Sequence, residues 1–336
     1  MKELSSAARW YRRLLPTATA LTLFVVVLGA WVRLTDAGLG CPDWPGCYGT
    51  LTVPKTAEQL AFASEAFPER PVEVQKAWNE MIHRYAAGTL GLLVLAIVIC
   101  AWRARRSDPT HPAWWPTALG GIITFQALLG MWTVTLLLKP AIVMAHLLGG
   151  MTTLGVLFWL TLKAWRRGRP APVTAFPAWA TAAAAVVIAQ IALGGWTSTN
   201  YAALACADLP TCQGAWWPDA DFREGFVLWR GVGVDYEGGV LDSAARTAIH
   251  LTHRIGAIVV TLFLVGLAIA MFRSARPAVK RAAAVMLAAL VLQISIGIGI
   301  IEFSLPLWLA TAHNGGGALL LLAMLYLNHE TRYVQS

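Results

Sequence analysis

Hydrophobic positions along this 336-residue chain gather into eight runs, approximately residues 16–33, 81–102, 115–138, 142–164, 177–197, 247–271, 282–303 and 307–328. Each is long enough to cross a bilayer as a helix, for which about 20 residues suffice. The polar positions between and within these runs recur. Trp31, Cys41, Cys47, His83, Arg84, Gln126, Gly130 and His146 reappear in the same order as Trp196, Cys206, Cys212, His253, Arg254, Gln293, Gly297 and His313. The offset is 165 for Trp and Cys, 170 for His-Arg and 167 for Gln, Gly and the last His. Trp31–Cys47 aligns with Trp196–Cys212 without a gap and shares seven of seventeen residues, so the chain is an internal duplication. Four helices per copy return the chain to its starting side, so the second copy enters the membrane in the same direction as the first, a parallel repeat. The expected fold is therefore an all-α integral membrane protein with eight transmembrane helices in two parallel-repeat four-helix bundles. The expected halves are residues 1–170 and 171–336, linked around Ala171, Pro172 and Pro177. Residues 50–78 and 213–245 differ between the copies, and short interfacial helices are expected there rather than a folded domain.

With 57% hydrophobic and 13% charged residues, the composition excludes a soluble globular domain. The net charge of +8 changes meaning once it is sorted by loop. Residues 1–15, 103–111, 163–170, 272–281 and the C-terminal tail hold sixteen of the 26 Lys and Arg against three acids, Glu3, Asp108 and Glu330. The positive-inside rule then places both termini in the cytoplasm and the long loops 34–79 and 198–246 outside. The basic excess reports topology and argues against nucleic-acid binding. Arg9, Arg12 and Arg13 before the first run read as the flank of an uncleaved anchor, and a bacterial plasma membrane is the simplest location. Four of the five cysteines fall in the outer loops, where oxidation is favoured, and Cys100 lies at the cytoplasmic end of the second helix.

His83, His146, His253 and His313 each sit near the outer end of an even-numbered helix. A histidine within an apolar helix is costly unless partnered and reads as functional by default, although a single one is also explained as a hydrogen-bonded structural group. A zinc or copper site would add Cys, Asp or Glu. Two histidines per four-helix unit, flanked by Gly88, Gly91, Gly149, Gly150, Gly256 and Gly315–Gly317, suit bis-histidine haem iron better, and the same glycines also serve helix packing. Arg84 and Arg254 are expected either to meet haem propionates or to snorkel at a helix end. Because all four histidines lie toward one face, a wire of haems across the bilayer is disfavoured. His111 and His329 have no repeat counterpart and are expected at solvent or interfaces.

The copies differ three residues before the first histidine, where Glu80 is matched by His250. Either residue shares a helical face with its following histidine. A carboxylate near a haem edge acts as a base or stabilises a cation, or else simply caps the helix start. CPDWPGC and CADLPTC each present a Cys-x5-Cys pair, read as a structural disulfide or as a redox-active pair.

Arg33-Leu34-Thr35 leading into Gly38-Leu39-Gly40-Cys41-Pro42-Asp43-Trp44-Pro45, the Glu80-x-x-His83-Arg84 motif and the duplicated histidines resemble the haem A synthases, over nearly the whole chain. The resemblance implies oxidation of the C8 methyl group of haem O to a formyl group by successive hydroxylations. It implies that His253 and His313 are the axial ligands of haem b, with Arg254 beside it. His83 and His146, with Arg84, would hold the substrate haem O, and Glu80 would take part in its oxidation. Cys41 with Cys47, and Cys206 with Cys212, are similar to disulfide pairs of the family. Haem O synthase, the protohaem farnesyltransferase, and terminal oxidase assembly factors are implied as partners, beside membrane lipid and an electron acceptor the sequence does not name. The alternatives are a bis-histidine b-type cytochrome transferring electrons without substrate chemistry, a transporter on a parallel repeat, and a membrane disulfide oxidoreductase.

Overall fold

A computed structural model describes residues 5–165, 168–170 and 176–335. The link expected at Ala171 and Pro172 lies outside the described residues. In chain order the elements are α1 (Ser6–Leu34), α2 (Ala57–Ala66), α3 (Val74–Ser107), α4 (Trp114–Thr135), α5 (Pro140–Trp165), β1 (Gly168–Pro170), α6 (Phe176–Thr199), α7 (Phe222–Gly225), α8 (Ser243–Phe272), α9 (Pro277–Glu302), α10 (Leu307–Arg332) and β2 (Tyr333–Gln335). Apart from the three-residue antiparallel ladder of β1 with β2, the described regular structure is helical. Eight of the helices are long and apolar enough to span a membrane, one for each predicted run.

Several of these helices run past the apolar segment that predicts them, because polar residues also support helix. Ser5 caps α1 by accepting from the Ala8 amide at 3.2 Å, so the helix begins at Ser6, ten residues ahead of the first apolar run. Helix α3 has 34 residues, roughly 51 Å at 1.5 Å per residue against a hydrocarbon core of about 30 Å. Its first turns, Val74 to Glu80, are thereby carried beyond the apolar run, and they are where the loop chemistry described below takes place. Large apolar side chains such as Leu92, Leu262 and Val291 lie exposed, the side-chain distribution of helices whose outer faces meet lipid tails.

The chain forms two compact units, Met1–Thr153 with Leu228–Val240, and Leu154–Val227 with Leu241–Ser336. The boundary between these units falls within α5, and a stretch of the second long loop belongs to the first unit. The reason is local packing. Arg70 pairs with Asp235 and Glu237, the Tyr236 amide donates to the Leu137 carbonyl at 3.1 Å, and Tyr236 packs with Leu39, Val134 and Leu138. Lys139, buried at 2% exposure, donates to the Gly231 carbonyl at 3.0 Å and sits 3.6 Å from the centre of the Trp229 ring. In the second unit α6, α8, α9 and α10 close on a core of Ala180, Ala183, Leu264, Met271, Ala282, Met286 and Met324. Small residues there allow close helix approach, the usual device where lipid removes the hydrophobic drive between helices.

Local geometry repeats with the sequence. Cys47 bridges Thr50 as Cys212 bridges Ala215, and Trp44-Pro45 and Leu209-Pro210 are both cis. Leu137 and Leu138 carry positive φ, as do Ser304 and Leu305, where each copy turns into its last helix. The expected short helices of the long loops are present as α2, closed by a Thr56/Gln59 capping box, and as the single turn α7.

Candidate functional site

The two cysteine loops are built alike. Cys41 is bonded to Cys47 and Cys206 to Cys212. Within the first loop the Asp43 carboxylate accepts the amides of Tyr48 at 2.6 Å and Gly49 at 2.8 Å. Within the second, Asp208 accepts those of Gln213 at 2.6 Å and Gly214 at 3.1 Å. The turn needs left-handed backbone at both residues, with φ of 53° and 75° in the first copy and 55° and 75° in the second, which is why glycine ends it. The Thr211 hydroxyl and the Gly214 and Gln213 amides hold the Asp208 carboxyl below its ordinary value. Burial pushes the Tyr48 phenol up.

Each loop is fastened to the helix that carries the first histidine of its copy. Glu80 accepts the Cys41 amide at 2.8 Å and pairs with Arg84, both within a largely buried pocket. His250 does the same work with an imidazole: its Nδ1 accepts the Cys206 amide at 3.2 Å while Arg254 Nε faces its Nε2 at 3.3 Å. Arg84 donates to the carbonyls of Asp43 at 2.9 Å, of Cys41 at 3.4 Å and of Gly46. Arg254 donates to those of Asp208, Thr211 and Cys206 at 2.9, 2.8 and 2.7 Å. The guanidinium donors of both arginines reach loop carbonyls in this structure. A fork of fixed donors suits convergent carbonyl oxygens as well as it suits a carboxylate.

The four histidines stand where the sequence places them. His83 on α3 and His253 on α8 lie one turn beyond the Glu80 and His250 loop anchors, and His146 and His313 lie six residues into α5 and α10. All four are half-buried. Each ring rests on a glycine of a neighbouring helix. A Cβ added at Gly29 would lie 3.0 Å from Cε1 of His83, at Gly130 3.4 Å from that of His146, and at Gly194 and Gly297 3.1 Å from those of His253 and His313. Gly130 and Gly297 belong to the repeat set already noted. Gly29 and Gly194 do not, although they are separated by the same 165 residues as the Trp and Cys pairs.

Glutamines complete the setting. Gln126 donates to the His146 carbonyl at 3.0 Å, Gln190 reaches the His253 carbonyl at 2.9 Å and Nδ1 at 3.0 Å, and Gln293 lies 3.3 Å from Nε2 of His313. The glycines after the histidines, expected to clear room for a macrocycle, have another use at Gly149, Gly256 and Gly316: a Cβ there would fall 2.2, 2.1 and 2.2 Å from the amides of Gln126, Gln190 and Gln293. Gly88 and Gly91 border open space. Gln190 has no repeat partner, since Val25 occupies the matching position.

His253 and His313 have ring centroids 6.4 Å apart and steeply inclined planes. A spacing of this size would leave room for one metal ion between the two rings. Among the described residues no group of three or more His, Cys, Asp or Glu could hold a metal ion, so His253 and His313 could serve a metal ion only as a pair. This fits an iron whose remaining ligands come from a macrocycle. The Nδ1 atoms of His83, His146 and His313 are buried without a hydrogen-bond partner. His329 departs from expectation: it is buried at 2% exposure, beside Trp159 and Tyr333. His111 is half-buried against Tyr11, as an interface residue.

The sequence pattern of the COX15-CtaA family, described as cytochrome oxidase assembly protein, matches residues 12–325. The chain belongs to this family. It is 45% identical over 319 residues to a protein of Shewanella oneidensis named haem A synthase, covering 94% of this chain and 95% of that one. Proteins of the same name from Caulobacter vibrioides, 29% identical over 90% of each chain, and Erythrobacter litoralis, 27% identical over 96% of each, extend the likeness. Family membership and eight helices apolar enough to span a membrane make this a multi-pass membrane protein of the cytochrome oxidase assembly family.

Proposed function

We propose that this chain is a haem A synthase, converting haem O to haem A at the histidines of the first unit while haem b is held by those of the second. The near-full-length likeness to proteins of that name carries the reading, and the paired, glycine-cradled histidines support it. The C8 methyl group becomes a formyl group by two hydroxylations. The first gives an alcohol, the second a geminal diol, and loss of water from the diol leaves the aldehyde. With water as the source of the oxygen, the net change is CH3 + H2O → CHO + 4 H⁺ + 4 e⁻, the electrons passing to an acceptor that the sequence does not name.

His83 and His146 hold the substrate. Glu80, one turn before His83 on the same face, is a carboxylate where the second copy has His250, and it acts on the proton balance of the oxidised carbon. His253 and His313 bind haem b, which supplies a one-electron redox centre when bound. Arg84 and Arg254 keep the disulfide loops seated over the ends of α3 and α8. The parallel repeat of two four-helix bundles, its boundary near residue 170, belongs to this reading. So do a bacterial plasma membrane location, cytoplasmic termini and histidines toward the outer side. Haem O arrives from a protohaem farnesyltransferase, and haem A passes to terminal oxidase assembly.

The test is the pigment of the purified protein. One haem b per chain should be recovered, and His253→Ala or His313→Ala should lose it while His83→Ala keeps it. Equal loss in all three would remove the division of labour. Two retained b haems with no haem O or haem A after co-expression with a haem O source would instead favour a b-type cytochrome.

A further inference from the structure

Three of the four histidines share a device that the fourth lacks. Three residues after His146, His253 and His313 comes a glycine, and the side chain of a glutamine from the neighbouring helix lies across it, so close that any Cβ would collide with the amide. At His146 and His253 that amide donates to the histidine's own carbonyl. At His253 and His313 it also reaches the ring. The residue three after His83 is Ala86, and the residue matching Gln190 is Val25. Both halves of the seat are therefore absent together, the glutamine and the glycine that makes room for it. The cradle beneath the ring is kept, since Gly29 meets His83 as Gly194 meets His253. What differs is only the group that pins the helical turn and the ring edge.

We infer that the glutamine-on-glycine seat sorts the axial histidines into fixed and exchangeable positions, and that His83 is the position through which the substrate haem is gained and released. The inference rests on the proposed haem sites and assigns positioning roles to Gln190, Gln126 and Gln293. A ligand tied by an outer partner keeps its orientation, and loss of such a partner typically costs ten- to a hundredfold in metal affinity; Gln190 ties both ring and turn at His253, Gln293 the ring of His313 and Gln126 the turn of His146. A resident cofactor needs both of its ligands seated, as His253 and His313 are. A substrate that must enter as haem O and leave as haem A needs one ligand that lets go. In the first unit His146 is seated by Gln126 and Gly149, so the site keeps one firm anchor and one loose ligand.

The experiment exchanges the two designs. Gln190→Val with Gly256→Ala gives the second unit the arrangement around His83, and Val25→Gln with Ala86→Gly gives the first unit the seat. Full-length protein loaded with haem b and haem O is incubated with excess apomyoglobin, and each pigment remaining is measured separately, together with the high-spin fraction in the optical and electron paramagnetic spectra. The expected results are about tenfold faster loss of haem b in the first variant, with a rise in high-spin iron, and about tenfold slower loss of haem O in the second. If both exchanges leave both loss rates within twofold of the wild type, the seat does not sort the ligands. A gain of retention in Val25→Gln/Ala86→Gly cannot come from misfolding, so the second variant decides the matter if the first is unstable. A wild type that binds neither pigment would overturn the haem sites themselves, and this outcome is separate from unchanged rates in a loaded protein.

Discussion

Replacing Glu80 with histidine separates the two things its carboxylate is placed to do. The second copy already shows that an imidazole at this position holds the cysteine loop, because His250 accepts the Cys206 amide at 3.2 Å where Glu80 accepts that of Cys41 at 2.8 Å. Glu80→His therefore keeps an acceptor for the loop and removes the negative charge opposite Arg84. The pair is nearly buried, with side-chain exposures of 6% for Glu80 and 12% for Arg84, so solvent screening is slight. Breaking a buried pair by removing one partner costs about 3–5 kcal/mol, and the retained neutral hydrogen bond returns about 1 kcal/mol, leaving a destabilisation of roughly 2–4 kcal/mol. Glu80→Ala also leaves the Cys41 amide unsatisfied, which adds about 1–3 kcal/mol. The catalytic loss is larger, since a positioned acid or base contributes about 10²–10⁴-fold. Thermal unfolding in detergent, alkylation of Cys41 and Cys47 followed by mass analysis, and haem A as a fraction of extracted pigment measure the three effects. The expected Glu80→His protein is folded, has its disulfide intact and makes at least about a hundredfold less haem A. Wild-type haem A from that protein would reduce Glu80 to a loop anchor and refute its part in the oxidation.

Other predictions follow the same contacts. Arg254→Met removes three charged hydrogen bonds to loop carbonyls and should cost about 3 kcal/mol or more, with Cys206–Cys212 becoming reducible by mild thiol. Gly194→Ala and Gly297→Ala place a methyl group 3.1 Å from the His253 and His313 rings, an overpacking of about 1–3 kcal/mol, and should lower haem b content without loss of either disulfide. Lys139→Met removes the cation from Trp229 and Gly231, so limited proteolysis should begin within 228–240 while the spanning helices stay intact. Asp208 is held below its ordinary 3.8, so its contribution to the second loop is full above that value and disappears as pH falls through the lowered one. Asp208→Asn should accordingly weaken the loop at neutral pH and match the wild type in strong acid, as read by the reducibility of Cys206–Cys212.

Much of this architecture is written in the repeat. The spans, the disulfide partners and the four histidines follow from apolar runs and two copies of one residue set. Gly29 and Gly194 carry the same 165-residue offset and were equally legible, but a glycine in an apolar helix gives no hint of the ring it supports. Arg84 and Arg254 were visible as a pair, whereas their partners were not, because backbone carbonyls have no sequence signature. Gln190 escaped notice for the opposite reason: it has no copy, and its meaning comes from the missing seat at Val25 and Ala86. The attachment of 228–240 to the first unit depends on Arg70 and Lys139, roughly a hundred or more residues away in the chain, and no periodicity connects them. His329 looked like a helix-end histidine in polar sequence, yet Trp159 and Tyr333 enclose it.

The central claim concerns what the paired histidine sites do, and the pigment of whole membranes tests it most directly. Membranes from cells expressing this chain with a haem O source should contain haem A, and His83→Ala and Glu80→Ala should abolish it while haem O accumulates. Normal haem A from both variants, or none from the wild type with haem O present, would contradict the account.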